Sequence, residues 1–285
     1  MKNIIILSIF VLFSLKTSAQ TTDQQFSVSH QGFLAFSLFD YNNWQGENNG
    51  SVSMIGNYQV NLEHGKHLFK GAHELFAELG FQRFQGKAIF KYADKFYLDN
   101  KFSLSFAEKA AFTITSNIES QFLPNYALGD TLQEVERTLK SSFLTPAFWT
   151  LGGAISLTPN EEFALHFSML STRMTYLRAQ NELIIDDGSD IYLYGLSIGK
   201  KLKFDLGLNL ELDIDKEISD LCSWQIRSAL FFDYVNHSLS TNTRNQLTFH
   251  LSKYFKFMIN TDLVYTPKEY IKPQWRNELL IGIYF

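Results

Sequence analysis

Two histidines stand two residues ahead of a serine, in His166-Phe167-Ser168 and His250-Leu251-Ser252. Residues two apart share one face of an extended strand. Each pair therefore sets an imidazole base beside a hydroxyl nucleophile, the minimal set for hydrolysis through an acyl-enzyme. His64, His67 and His73 bunch together and suggest a metal, but no cysteine or carboxylate stands at ligand spacing beside them, and a solvated turn is the plainer reading. The most extended chemical signal is a row of charge. Lys201, Lys203, Asp205, Asn209, Glu211, Asp213 and Asp215 alternate with apolar residues and run from basic to acidic. Glu74, Glu78, Asp99, Lys101, Arg227, Asp233, Asp262, Arg276 and Glu278 repeat the pattern in other segments.

The elements that position these groups are strands of one kind. In Gln274 to Phe285, the residues Trp275, Asn277, Leu279, Ile281, Ile283 and Phe285 fall on one face and Arg276, Glu278, Leu280, Gly282 and Tyr284 on the other. Such alternation marks a strand with two different surroundings. Ser51 to Leu62 and Ala72 to Phe84 alternate in the same way, whereas Phe26 to Phe39 is ambiguous because Phe33, Leu34, Phe36 and Leu38 occupy both parities. The remaining strands are expected over 95–106, 110–121, 147–157, 162–176, 191–214, 221–235, 243–253 and 255–265. The five prolines, at 124, 146, 159, 267 and 273, are expected between strands, where a missing N–H interrupts no ladder.

Reading 191–214 as one long strand gives about twelve strands, with fourteen the alternative. Links 40–50, 85–94, 122–146, 177–190, 236–243 and 266–273 then gather at one end, and the shorter links near 63–71, 107–109, 158–161, 215–220 and 254 at the other. This is the asymmetry of an up-and-down antiparallel transmembrane β-barrel, with short periplasmic turns and long outer loops. The fold class expected is all-β, in a single domain over residues 20–285.

The start of the chain agrees with export. Lys2 precedes an apolar run from Ile4 to Leu15, too short for a membrane helix, and Thr17-Ser18-Ala19 supplies small residues for cleavage before Gln20. Residues 1–19 are thus expected to be a cleaved signal peptide, and the location the outer membrane of a Gram-negative bacterium. Without Lys2 and Lys16 the chain keeps 23 basic and 29 acidic residues, a net charge near −6 that argues against a nucleic-acid partner. Phe at 27 and Tyr at 13 suit aromatic girdles. The single cysteine, Cys222, allows no intrachain disulfide.

On this fold, Phe163, Leu165, Phe167 and Met169 face lipid, so His166 and Ser168 point inward; Leu247, Phe249 and Leu251 do the same for His250 and Ser252. A lipid hydrolase needs its nucleophile open to the bilayer, so catalysis is not expected and no catalytic, cofactor or metal residues are assigned. Lys203, Asp205, Asn209, Glu211, Asp213, Arg227, Asp233, Asp262, Arg276 and Glu278 are expected to line the lumen, either as a filling polar network or as a charge-selective pore. Pairing of the 205–213 carboxylates with Arg227, Arg276 and Lys256 would close it. The function expected is a passive channel or transport component without cofactor. The alternative is a closed barrel whose outer loops bind a partner.

Several short blocks together resemble an uncharacterised outer-membrane barrel family of Gram-negative bacteria, known only as a domain of unknown function. They are Asn43-Trp44 with Gly46, Asn49-Gly50-Ser51, Asn57, Asn61, Gln121-Phe122, Phe143-Leu144-Thr145-Pro146-Ala147, Thr158-Pro159-Asn160, Leu230-Phe231 with Tyr234, and Lys253-Tyr254. Gly46-Glu47 departs from the double glycine of the family's first motif. The resemblance implies a barrel at the outer membrane, in contact with its lipid and with the barrel assembly machinery, and carries no catalytic residues. A chain ending on an aromatic residue at the close of such a strand also resembles outer-membrane barrels at large, in which the terminal Phe is an assembly signal. Deleting Phe285, or replacing it with a charged residue, is therefore expected to lower the amount of folded, heat-modifiable barrel recovered from outer membranes. Unchanged recovery would refute this role.

Overall fold

The structure, a computed structural model, describes residues 25–39, 51–84, 89–126, 139–178, 196, 200–265 and 274–285. The expected signal peptide lies outside them.

Among the described residues, fourteen strands follow in chain order. They are β1 (Gln25–Phe39), β2 (Ser51–Lys66), β3 (Phe69–Phe84), β4 (Phe90–Ala107), β5 (Ala110–Ser120), β6 (Asn125–Tyr126), β7 (Leu139–Ser141), β8 (Ala147–Asn160), β9 (Phe163–Tyr176), β10 (Leu202–Ser219), β11 (Cys222–Asp233), β12 (Ser238–His250), β13 (Phe255–Tyr265) and β14 (Gln274–Tyr284). Twelve of them close an antiparallel barrel in which each strand pairs with its neighbours in sequence and β14 returns to β1. β6 and β7 form a separate two-stranded sheet within the link between β5 and β8. The twelve-strand expectation therefore holds for the barrel itself. Each barrel strand has at least 11 residues, enough to cross a bilayer while tilted.

Tight turns at 67–68, 108–109, 161–162, 220–221 and 251–254 occupy the end at which β1 begins and β14 finishes. Several details differ from the sequence reading, and one is that β4 begins at Phe90, inside the link expected at 85–94. β10 begins at Leu202 and runs on to Ser219, past the expected end at Ile214; of 191–199 only Leu196 is described, as a buried residue. The link expected at 236–243 shrinks to a turn at 234–237, where His237 takes a positive φ of 49°, and β12 starts at Ser238. Pro159 lies inside β8, not between strands. It sits where the β8–β9 register slips between Leu157 and Asn160, so the missing N–H falls at an irregularity in the ladder.

Alternation decides which side chains meet water. Phe112, Ile114, Phe204, Leu279 and Ile281 stand on the outer wall, each more than half exposed. That wall would aggregate in water and is at home in hydrocarbon. The inner wall is mostly polar, and an apolar cluster on it explains the ambiguity of β1. Phe33 and Ala35 turn inward and pack with Ile55, Ala93, Met258 and Leu280, while Phe36 faces outward. An internal apolar cluster gives β1 large hydrophobes on both faces.

Closure joins Phe33 to Phe36 with Tyr284 to Ile281. Gly32 and Phe285 extend it by exchanging two backbone hydrogen bonds of 2.8 and 3.0 Å. The strands approach so closely there that a Cβ on Gly282 would lie 2.4 Å from the Leu34 carbonyl oxygen, a backbone atom that cannot swing away. Gly153, in contrast, faces open space. Gly282→Val is expected to destabilise the closed barrel by about 1–3 kcal/mol, as overpacking does, while Gly153→Val has little effect. Urea titration followed by heat-modified mobility measures both, and equal midpoints for the two variants would contradict the seam geometry.

Candidate functional site: a bore crossed by ion pairs

The inward side chains do not stay against their own wall. Arg227 on β11 reaches Glu74 on β3, with Nη1 donating to Oε1 at 2.6 Å. Going round the barrel in either direction, β11 is the sixth strand from β3, so this pair spans the diameter. Tyr97 on β4 completes the crossing: its hydroxyl donates to Glu74 and accepts from Arg227 Nη1 at 2.7 Å. An Arg fork held by a carboxylate and a phenol is directional, and charge-assisted bonds of this kind are the strong ones.

A second crossing lies beside the first. Lys101 on β4 places its ammonium 3.2 Å from Asp213 and 3.5 Å from Glu211, both on β10, and 3.6 Å from Asp99 on its own strand. A third centres on Arg244 of β12, which donates to Asp262 at 2.9 Å, approaches Glu78 on β3 at 3.8 Å, and lies 5.4 Å over the ring of Phe76. Phe76 stacks on Tyr97 with ring centroids 5.0 Å apart, linking the first crossing to the third. A polar cavity of about 250 Å³ remains against the network, lined by Asn61, Glu63, Ala72, His73, Glu74, Asp99, Lys101 and Arg227.

The sequence-assigned residues distribute over this network unevenly. Glu211, Asp213, Arg227 and Asp262 are members of it. Asp205 pairs with Lys203, two residues back on its own strand, and buried Asn209 donates to Glu211 at 2.8 Å. Asp233 shares the inward parity but serves the turn, its carboxylate accepting from the backbone of Val235 and Asn236 and from the Asn236 amide. Arg276 stands in register with Asp262, its side chain outside the described ones, and Glu278 in register with Asn260. The pairing of the 205–213 carboxylates with Arg227 and Lys256 that would close the lumen is not the one found, and the Arg276 side chain lies outside the described ones. Arg227 goes to Glu74, Lys256 lies 3.3 Å over the Tyr284 ring, and Lys101 and Lys203 take the acidic groups. Arg244, Tyr97 and Phe76 were not singled out in the sequence. The signal for Arg244 was its shared parity with Gln246 and Thr248.

The His-x-Ser pairs do not form. His166 is buried and lies inside, but its Nδ1 is 2.6 Å from Ser156 Oγ on β8, not from Ser168, which bonds to Ser171 and the Leu170 carbonyl. Ser156 donates its own proton to Thr113, so His166 Nδ1 must donate to Ser156. That is the reverse of a base drawing a proton from a nucleophile. His250 Nε2 stands 3.2 Å from Ser223. Ser252, expected inward, instead sits in the exposed 251–254 turn and accepts from the backbone of Tyr254 and Phe255.

Residues 36–126 match a family described as protein of unknown function (DUF3078). An uncharacterised family is what the sequence blocks implied, and those from Asn43 to Phe122 lie within the match, whereas those from Phe143 onward lie beyond it. No curated protein matches the chain. Among solved structures, an outer membrane channel from Pseudomonas putida F1 is similar at 7% identity over 95% of this chain and 98% of that one, with a TM-score of 0.40. The NanC porin is similar at 8% identity over 90% and 98%, TM-score 0.37. The β domain of the Bordetella autotransporter BrkA is similar at 9% identity over 90% and 98%, TM-score 0.34. At these values the fold rests on the strand order and registers described above.

Lys101 is the cation on which three carboxylates depend. Lys101→Met is expected to destabilise the barrel by about 3–5 kcal/mol, the usual cost of stranding buried charge, and Asp213→Asn by less, because Glu211 and Asp99 remain beside the ammonium. Comparison of thermal unfolding midpoints in detergent checks the order, and a more stable Lys101→Met protein would refute it.

Proposed function

We propose that the protein is a gated conduit in the outer membrane of a Gram-negative bacterium, exported by a cleaved signal and shut at rest by side chains crossing its bore. The observation that carries this reading is the Arg227–Glu74 contact between opposite walls. A pore with a persistent water column would keep such groups on their own walls. Here they meet, and the lumen charges act first as a closure and only then as a lining.

The crossings are built from arginine, lysine, tyrosine and carboxylates on long stems, not from packed hydrophobes. Each pair gives up hydration and regains it when separated, so such a network sits nearer balance than an apolar plug of equal size. Opening then exposes Glu74, Asp99, Glu211 and Asp213 against Lys101 and Arg227. Within the roughly 8–10 Å screening distance at moderate salt the carboxylate excess favours cations. No cofactor or catalytic step enters this reading, and lipid and the barrel assembly machinery are the partners it requires.

A second reading, a permanently closed barrel that presents a binding surface, draws on the β6–β7 sheet carried in the link between β5 and β8. Planar-bilayer recording separates the two. The wild type is expected to be quiet or to open rarely, while Arg227→Ala with Glu74→Gln is expected to give sustained cation-preferring steps, read from the reversal potential under a salt gradient. A folded double variant that stays silent would reject the conduit and leave the binding surface in front.

A further inference from the structure

His64 on β2 and His73 on β3 face outward near the tight turn at 67–68, and their Nε2 atoms are 3.2 Å apart with ring centroids at 5.3 Å. Two nitrogens each about 2.0–2.1 Å from one tetrahedral ion stand roughly 3.3 Å apart. The spacing is that of two ligands on a shared metal. We propose that His64 and His73 form a site for a late first-row divalent cation, zinc foremost, on the outer wall at the short-turn end of the barrel.

Three further features build the site. His73 Nδ1 lies 2.8 Å from Asn100 Oδ1 on β4. An amide oxygen only accepts, so Nδ1 carries the proton and Nε2 presents its lone pair toward His64. An outer partner on the far nitrogen is the usual way a ligating imidazole is oriented. The His64 ring lies over Gly71, where a Cβ would fall 2.2 Å from Nε2, so the absence of a side chain at 71 makes room for the ring. Phe69 and Phe102 flank the pair, centroids 6.3 Å from His64 and 5.1 Å from His73, which walls the site on its apolar side and leaves water to complete the coordination.

Imidazole pairs suit zinc, nickel and copper and discriminate against magnesium and calcium, which want oxygen. Without metal, His64 Nε2–H donates to His73 Nε2; on binding, the His64 proton resides on Nδ1 and both Nε2 atoms face the ion. A bound ion would tie β2 to β3 across the hairpin.

The test uses the untagged mature chain refolded in detergent, its fold checked by heat-modified mobility and zinc chloride added by calorimetric titration. The expected result is one zinc per chain, with affinity falling at least tenfold in the His64→Gln, His73→Gln double variant. Copper(II) should give a paramagnetic resonance signal with nitrogen hyperfine coupling that disappears in the same variant. Two substitutions that keep both ligands make the test independent of losing them: Asn100→Leu is expected to weaken zinc about tenfold through loss of the orienting bond, and Gly71→Ala to weaken it by displacing the His64 ring. Zinc affinity unchanged in the double variant, or in both Asn100→Leu and Gly71→Ala, would overturn the site.

Discussion

Hydrocarbon offers no water to a backbone N–H or C=O, so a sheet that crosses a membrane has to satisfy its own edges by closing. Everything else in this molecule depends on that closure. The ladders from β1 round to β14 leave one seam, where Phe33 to Phe36 meets Tyr284 to Ile281 and Gly32 meets Phe285. The seam dictates small residues where the backbones crowd, which is why glycine stands at 282 against the Leu34 carbonyl. Closure also fixes the circumference at twelve strands, and the circumference fixes how far apart facing side chains begin. At that width an arginine on β11 and a glutamate on β3 reach each other. The crossed bore follows from the strand number combined with the length of the side chains.

Much of this was legible in the chain itself, because alternation is a strong signal when two media differ. Leu279, Ile281 and Ile283 outside and the Asp213 parity inside were assigned from period two alone, and the sorting of links by length gave the twelve strands of the barrel. Where the signal faded, a specific physical event lay beneath it. The mixed face of β1 marked Phe33 and Ala35 entering an internal apolar cluster. The parity of 191–214 breaks only at Lys200, and reading through that break as one strand missed the start of β10 at Leu202, because parity says which face a residue takes and nothing about where pairing begins. Positive φ at His67 and His237 let short turns form without glycine, so the usual turn residues were missing as markers.

The candidate site was legible residue by residue and not pair by pair. A parity argument puts Glu74, Lys101, Asp213 and Arg227 inside; which of them meet depends on strand order and stagger around the whole barrel. Arg227 and Glu74 are 153 residues apart, and Lys101 and Asp213 are 112 apart. Local pairing was easier to foresee and proved less informative. Lys203 and Asp205 neutralise each other along one strand, which removes that stretch of β10 from any account based on a continuous basic-to-acidic gradient. His166 teaches the same lesson, since its partner is Ser156 across the β8–β9 register and not the serine two positions away.

A barrel this narrow had two ways to fill its bore, and it uses both. Around β1, β2 and β14 it packs Phe33, Ile55 and Leu280, and the gain there comes from removing apolar surface from water. Between β3, β4, β10, β11 and β12 it uses ion pairs, which give back in lost hydration much of what they gain by attraction. Well-packed apolar residues are often at least as stabilising as buried ion pairs, so stability is weak as an explanation of the charged half. Separated charges regain water, whereas separated hydrophobes lose contacts and gain nothing in return. The two halves therefore differ in what separation would cost: the apolar cluster beside the seam would lose its contacts, whereas the ion pairs that cross the bore consist of groups that water can solvate.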